Sequence, residues 1–312
     1  MVFRPDSPVE LPDGRLVCGS HGLVICGICT VDYSFMEEDD MEEGDDFEDR
    51  DMDNDGDSDD DDETHDPPEN PLRGYFISHP LGTGLGRECT VGTGRVIPTK
   101  FHPPNPSDTP ESLFPLRIGE RSTPRVRRFT RKSDLGTQFL IYTDGACLDN
   151  GGANPRAGCA FVFKPTTQNP LVHGYTAFRL ENEGPTGERH PQTSNRAELR
   201  AVIAALRFRY WPGEGADGLV IATDSEYVAE GITTWIRGWQ RRDWKTSMGA
   251  PVKNQDLWQC LLGEVEFWNE KGMSIEFWRI PREWNTEADR LAKEAANEDP
   301  IDEFATVSGV LV

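Results

Sequence analysis

The sequence predicts an α/β fold: a mixed five-stranded sheet flanked by helices, in the C-terminal half, behind a long acidic N-terminal region expected to be disordered. Three observations lead there. The charge is uneven: of a net −23 over 312 residues, Glu37 to Asp66 carry −19 (20 Asp or Glu against Arg50 alone), which leaves −4 on the other 282 residues. Such a run cannot bury enough apolar surface to offset chain entropy. Residues 136–298, by contrast, hold all eight Trp. There, apolar runs of strand length alternate with segments of helical spacing, in the order βββαβαα(β)α, which indicates a mixed sheet with helices on its faces.

Composition divides the chain into five zones. Residues 1–35 are short, mildly apolar and contain three of the seven Cys. Residues 36–66 are the acid run. Residues 67–135 contain 11 of the 23 Pro and much Gly, and read as an irregular or disordered linker ending in a basic patch, Arg121 to Lys132, with six Arg or Lys. Residues 136–298 form the folded domain, and 299–312 a tail. The overall hydrophobic fraction of 36 % fits a chain that is packed only in part.

Each element of the folded zone has its own signal. Gln138-Phe-Leu-Ile-Tyr-Thr143 is a short apolar run ending at Asp144-Gly145, and reads as a buried strand. Gly158 to Phe163 and Leu171 to Arg179 follow as strands separated by turn residues. Ser194 is placed to cap a helix from Asn195 to about Phe208, where Leu199, Val202, Ile203 and Leu206 share one face. Gly218 to Thr223 is a strand and Ser225 to Arg237 a helix. Asp256 to Lys271 is a helix, Met273 to Ile280 a strand, and Glu283 to Asn297 the last helix.

Two of these strands end alike, in Thr143-Asp144 and Thr223-Asp224. Adjacent strand ends place such carboxylates close together. Glu198 falls in the first turn of its helix, and Asp289 about one turn into the last one. Four converging carboxylates would repel one another without a cation, and hard oxygen ligands call for Mg²⁺ or Mn²⁺. Two such ions would suit an in-line phosphoryl displacement. The competing reading is structural: a strand-terminal Asp is often a turn former, and Asp224 could simply cap the helix at Ser225. Spacing alone does not establish convergence.

Four stretches in order and spacing, Tyr142-Thr-Asp-Gly-Ala-Cys147, Asn195-Arg-Ala-Glu-Leu199, Thr223-Asp-Ser225 and Asn285 to Ala292, make the folded zone resemble a type 1 ribonuclease H domain over about 160 residues. The resemblance is to eukaryotic, fungal-type members that lack a loop His. It implies that Asp144, Glu198, Asp224 and Asp289 hold two Mg²⁺, with Mn²⁺ able to substitute. It also implies an endonuclease that cuts the RNA strand of RNA–DNA hybrids, leaving 5′-phosphates.

The segment from Gly231 to Gly249 interleaves Trp235, Trp239 and Trp244 with Arg237, Arg241, Arg242 and Lys245. Basic groups can neutralise phosphates and aromatic faces can pack on sugars or bases. Alternatively, Trp235 and Trp239, four apart, form one buried helix face. The segment is similar to the basic protrusion of cellular relatives. The resemblance there points to Tyr227, Trp235, Ser247 and Asn254 along a DNA channel, with Thr193 and Asn254 as a phosphate pocket. It further points to Cys147, Asn150, Ser194 and Asn195 as readers of the 2′-hydroxyl, which both donates and accepts. Ser194 stands where the family usually has Asn. All six His precede residue 191, so the His that many relatives carry before the last helix is missing, and Arg282 or Glu283 is expected in that space.

Cys18-x2-His21-x4-Cys26-x2-Cys29 has ligand types and spacings that suit a structural Zn²⁺. The competing reading is a hydrophobic strand, Leu23-Val-Ile25, with incidental Cys. This segment does not resemble the hybrid-binding module of many eukaryotic relatives, so a protein partner is expected for it. Asp51-x-Asp-x-Asp55-Gly56 imitates a Ca²⁺ loop, but Asp at nearly every position makes that match weak. The basic patch suits an import signal, a nucleic-acid arm or a linker equally.

The sequence also excludes classes. No apolar stretch is long enough to span a membrane, and the start lacks a signal peptide's basic and apolar regions. An odd, scattered set of Cys does not resemble a secreted disulfide framework. A monomer in the nucleus or cytoplasm is expected. Two other functions fit the same fold: a catalytically weak hybrid-binding or scaffold protein, and a nuclease domain derived from a retroelement. The complete quartet speaks against the first, and the lack of a polymerase motif against the second.

Overall fold

The computed structural model describes residues 89–119, 121, 126–133, 136–165 and 174–309, with short strand segments at 9–10, 16–17, 25–26, 31–32 and 75–78. The acid run and the Ca²⁺-like loop lie outside the described residues. Of the Cys18, His21, Cys26 and Cys29 set only the backbone of Cys26 is described, in a two-residue ladder of Ile25–Cys26 with Val31–Asp32.

The strands are β1 (Thr99–Lys100), β2 (Leu116–Ile118), β3 (Arg127–Ser133), β4 (Gly136–Leu148), β5 (Arg156–Val162), β6 (Tyr175–Arg179), β7 (Gly218–Thr223), β8 (Ser274–Arg279) and β9 (Thr306–Gly309). The helices are α1 (Pro110–Leu113), α2 (Ser194–Arg207), α3 (Glu226–Glu230), α4 (Ile236–Arg241), α5 (Gln255–Glu270) and α6 (Thr286–Ala295). No described helix is long and apolar enough to cross a membrane.

The five expected strands form the centre of the sheet in the order β6-β5-β4-β7-β8. The two β4-flanking ladders differ: β5 is antiparallel to β4, while β7 and β8 run parallel to it. β4 is longer than the apolar run suggested. It does not stop at Thr143, because its antiparallel ladder with β5 continues to Leu148↔Arg156. Its first residues pair instead with β3. Both faces of the central strands are covered, which is why they read as continuous apolar runs. Phe139, Ile141, Leu219 and Ile221 pack with α2 and α5 on one side. Leu140, Val220 and Ala222 face the other way, and α6 covers Ala146, Ala160 and Val162 there.

Three expectations require correction. The segment expected to be a linker up to Leu135 is built into the domain wherever it is described from Cys89 onward. Cys89 is disulfide-bonded to Cys260 of α5. Glu266 accepts hydrogen bonds from Thr93 N (3.0 Å), Thr93 Oγ1 (2.9 Å) and Arg95 N (3.0 Å). β1 extends the sheet beyond β8, and buried Phe101 and Phe114 close the far face against Trp278. This segment lacks periodicity because its main anchors lie elsewhere in the domain, although Leu116–Ile118 also pairs with Arg127–Phe129. The basic patch is likewise partly a strand: Arg128 in β3 is buried and donates to Glu214 at 2.9 and 2.6 Å.

The expected tail also packs. Ile301 bridges to Glu181, and β9 pairs with Tyr75–Ser78. Phe304 lies over the guanidinium of Arg200 (4.3 Å), itself buried and bound to Glu181 at 2.5 Å and to the Ala305 carbonyl at 2.7 Å. Finally, the helix expected from Ser225 to Arg237 is α3 and α4 joined by a wider π-type turn, Gly231–Trp235. Gly231 is needed there, since a Cβ would sit 2.3 Å from the indole of Trp258.

Candidate active site

The sheet register brings the two Thr-Asp sequences together. The parallel ladder of β7 with β4 ends at Ala222↔Tyr142, so Asp144 and Asp224 follow side by side two residues on. Asp224 does not cap the next helix. Ser225 does, its hydroxyl accepting from Val228 N at 3.3 Å. Asp224 instead accepts from Asn285 Nδ2 at 2.6 Å, and the same amide donates to the Thr143 carbonyl at 3.0 Å. Asn285 thus ties the start of α6 to the middle of β4 and to the end of β7.

Glu198 arrives from α2. The cap of that helix is Thr193, one residue earlier than expected, with its hydroxyl accepting from Arg196 N at 3.2 Å. Glu198 is therefore the fifth helical residue and lies past the first turn. α2 can approach β4 because residue 145 is Gly: a Cβ there would lie 2.1 Å from Glu198 N. Asp289 is the fourth residue of α6. One of its oxygens accepts from Arg282 Nη2 at 2.7 Å and the other from Lys293 Nζ at 2.8 Å.

The electrostatics show mutual proximity. Burial, then the charges of Asp224 and Asp289, push the Asp144 carboxyl well above the ordinary carboxylate range, against the opposing pull of Arg282. Burial, then Asp144 and Asp224, do the same to Glu198, while Arg282 and the Gly145 N–H oppose. Burial works against the Arg282 charge, but Asp224, Asp289 and Asp144 outweigh it and raise its pKa. Glu198 Oε2 is buried without a hydrogen-bond partner. A cluster of acidic oxygens with one orphaned buried oxygen suits a hard divalent cation. The cluster is open: among the described residues only Cys89, Cys260 and Glu264 place three ligand atoms all within 4.8 Å of one another. Those two sulfurs are joined as a disulfide, so that trio is not a metal site.

Near the quartet, Asn150 Nδ2 donates to the Ser194 hydroxyl at 3.1 Å. Asn195 is buried beside them. The Cys147 side chain does not face outward: it is buried, with its sulfur 3.5 Å from the Gln192 carbonyl, so the thiol itself is withdrawn from any substrate. Thr193 and Asn254 both contact Arg196, Thr193 through the backbone N–H and Asn254 through the guanidinium, which reaches Asn254 Oδ1 (3.4 Å) and Asp256 (2.9 and 2.6 Å). Asn254 adopts φ +57°, a left-handed conformation that Asn tolerates, at the start of α5.

The basic segment forms a separate wall. A 370 Å³ cavity is lined by Tyr227, Trp235, Trp239, Arg241, Arg242, Ser247 and Lys253, among others. Tyr227 is buried, its hydroxyl accepting from Asn254 Nδ2 (3.2 Å) and Trp258 Nε1 (3.1 Å). Trp239 packs into the core against Trp258, ring centroids 5.3 Å apart and planes tilted by 58°, whereas Trp235 is half-buried at the cavity wall. Arg237, Arg241, Arg242, Lys245 and Lys253 are exposed around it.

Sequence reasoning missed Asn285, Arg196 and Lys293 as site residues. The first two stand inside the quoted stretches, and Lys293 stands four residues after Asp289, so spacing could have found all three.

The profile of the ribonuclease H family matches residues 136–297. The chain is 40 % identical to a ribonuclease H of Treponema pallidum over 163 residues, 51 % of this chain and 90 % of that one. It is 32 % identical to human ribonuclease H1 over 207 residues, 64 % of this chain and 65 % of the human one. A ribonuclease H of Tolumonas auensis is 36 % identical over 168 residues, 52 % of this chain and 92 % of that protein. With a profile match across half its length and a bacterial relative covered almost end to end, the chain belongs to the type 1 ribonuclease H family.

Proposed function

We propose that the protein is an endonuclease that hydrolyses the RNA strand of RNA–DNA hybrids at the Asp144, Glu198, Asp224 and Asp289 cluster. The observation that carries this is the convergence of four carboxylates from β4, α2, β7 and α6, with a buried Glu198 oxygen that has no partner. Two Mg²⁺ held there, or Mn²⁺ in their place, would supply an activated water and a counter-charge for the leaving oxygen. The chain's own residues do the rest. Asn285 holds Asp224 in place. Asn150 and Ser194, hydrogen-bonded to each other, offer both a donor and an acceptor where a 2′-hydroxyl would be read. The exposed Arg and Lys around Trp235 are suited to the phosphates of the DNA strand, and Thr193 with Asn254 to one phosphate beside Arg196.

A cleavage assay on RNA–DNA hybrid, RNA duplex and DNA duplex with Mg²⁺ tests this. Cutting of the hybrid's RNA strand alone is expected. Hybrid that is bound yet uncut in both Mg²⁺ and Mn²⁺ would leave a binding or scaffold protein. For the N-terminal set Cys18, His21, Cys26 and Cys29 the reading is a structural Zn²⁺, and one equivalent of zinc lost on Cys26→Ser, with cleavage retained, is the expected outcome.

A further inference from the structure

We propose that Arg282 is a built-in cation of the carboxylate cluster, a positioning residue that shares Asp289 with the divalent ion and so limits how tightly the site takes that ion up. The inference rests on the metal-dependent reading above. Arg282 stands in the short turn Arg282–Trp284 between β8 and α6. Its Nη2 lies 2.7 Å from Asp289 Oδ1, and Lys293 Nζ lies 2.8 Å from Oδ2. Both oxygens of Asp289 thus face a cation, unlike those of Glu198, one of which has no partner at all. Three residues after Arg282, Asn285 anchors the same turn to Asp224 and to the Thr143 carbonyl. The guanidinium is therefore held at the cluster by the fold, and not only by its ion pair.

The charges agree with this position. Arg282 acts on Asp144, Glu198, Asp224 and Asp289, so it faces the whole quartet rather than one member. When all four carboxylates are ionised around a bound ion, Arg282 and Lys293 offset two of the four charges. A unit charge that shares a carboxylate with a dication weakens uptake of that ion, and even at the dielectric of bulk water the effect is roughly tenfold. An ion held less tightly at Asp289 is one that substrate phosphates can help to recruit and product departure can help to release.

The test is a titration of Mg²⁺ into the full chain by calorimetry, repeated with Mn²⁺ by electron paramagnetic resonance. Arg282→Gln should bind the ion about tenfold more tightly than wild type. Arg282→Lys, which keeps the charge, should stay within about threefold. Lys293→Gln should move the same way as Arg282→Gln, by less. The Mg²⁺ concentration giving half-maximal cleavage should fall in step. Unchanged or weaker uptake in Arg282→Gln, with the melting transition retained, overturns the inference. If that variant fails to fold, unchanged uptake in Lys293→Gln overturns it instead. A wild type that takes up no divalent ion at all sinks the metal reading of the site itself, which is a distinguishable result.

Discussion

Gly145→Ala is the substitution that most directly tests how the site is assembled. The new Cβ would lie 2.1 Å from Glu198 N, 2.3 Å from the Ala197 carbonyl carbon and 2.6 Å from Glu198 Cα. Ordinary contact begins near 3.4 Å, so β4 and α2 must separate by 3.4 − 2.1 = 1.3 Å. None of the three atoms is the end of a flexible side chain. Nor can α2 retreat freely, since its own residues Ser194 through Leu206 are all buried. Overpacking of this kind costs about 1–3 kcal/mol, or a fall in melting temperature of about 2–4 °C per kcal/mol for a domain this size. The catalytic cost is larger, because the atom pushed away is the backbone of Glu198 itself. A misplacement of about 1 Å at a reacting centre lowers turnover by roughly a hundredfold. Saturating Mg²⁺ and hybrid, kcat on a labelled RNA–DNA hybrid and thermal melting by circular dichroism give the two numbers. Hybrid affinity should fall far less than turnover, since the basic wall around Trp235 is on other elements and only Thr193 and Ser194 move with α2. Turnover within about threefold of wild type, with melting unchanged, would show that the close approach of β4 and α2 does not set the geometry.

Asp144→Asn should abolish cleavage, spare hybrid binding and raise the melting temperature in chelator. The sign follows from the raised carboxyls: in chelator the folded chain keeps protons on Asp144 and Glu198 that the unfolded chain has released. Their contribution to stability is therefore most favourable at or below the ordinary carboxylate range, and declines as pH rises toward the raised folded values. The Asn variant should show a flatter pH dependence, and one melting no higher than wild type at pH 8 would contradict this. Glu266→Ala removes the acceptor for Thr93 and Arg95. It should cost about 2–4 kcal/mol by urea unfolding and open residues 89–97 to protease, and a neutral effect would place that segment's anchorage elsewhere. Glu181→Ala leaves Arg200 buried beneath Phe304 without its carboxylate. About 3–5 kcal/mol of destabilisation is expected, and a loss below about 1 kcal/mol would mean that the aromatic faces alone support the charge.

What the sequence disclosed depended on where each residue finds its partners. β7 was legible to the residue, because Gly218 to Thr223 is buried on both faces and bounded by turn chemistry. Asp144 and Asp224 were legible because both follow such runs. The Asn285 amide was not singled out, since bonds from one side chain to two separate strands leave no periodic trace. The same holds for the segment from Cys89 to Ile118 and for Ile301 to Gly309. Phe101, Phe114 and Phe304 are isolated aromatics among polar and Pro residues, and their burial is supplied by Trp278 and Arg200, far away in sequence. The end of β4 was misplaced for a related reason: Asp144 to Leu148 alternate poorly, yet β5 pairs with every one of them.

The attachment of Cys89 to α5 also sets a clock. Its partner Cys260 lies 171 residues downstream. At about 5–20 residues per second of synthesis, roughly 10–30 s pass between the emergence of the two cysteines. Through that interval Phe101 and Phe114 have no Trp278 to cover them, and Thr93 has no Glu266. The nascent chain must carry these aromatics uncovered until the last third of the domain is made. The 20 acidic residues between Glu37 and Asp66 emerge before them, and like charge of that density opposes association of neighbouring copies.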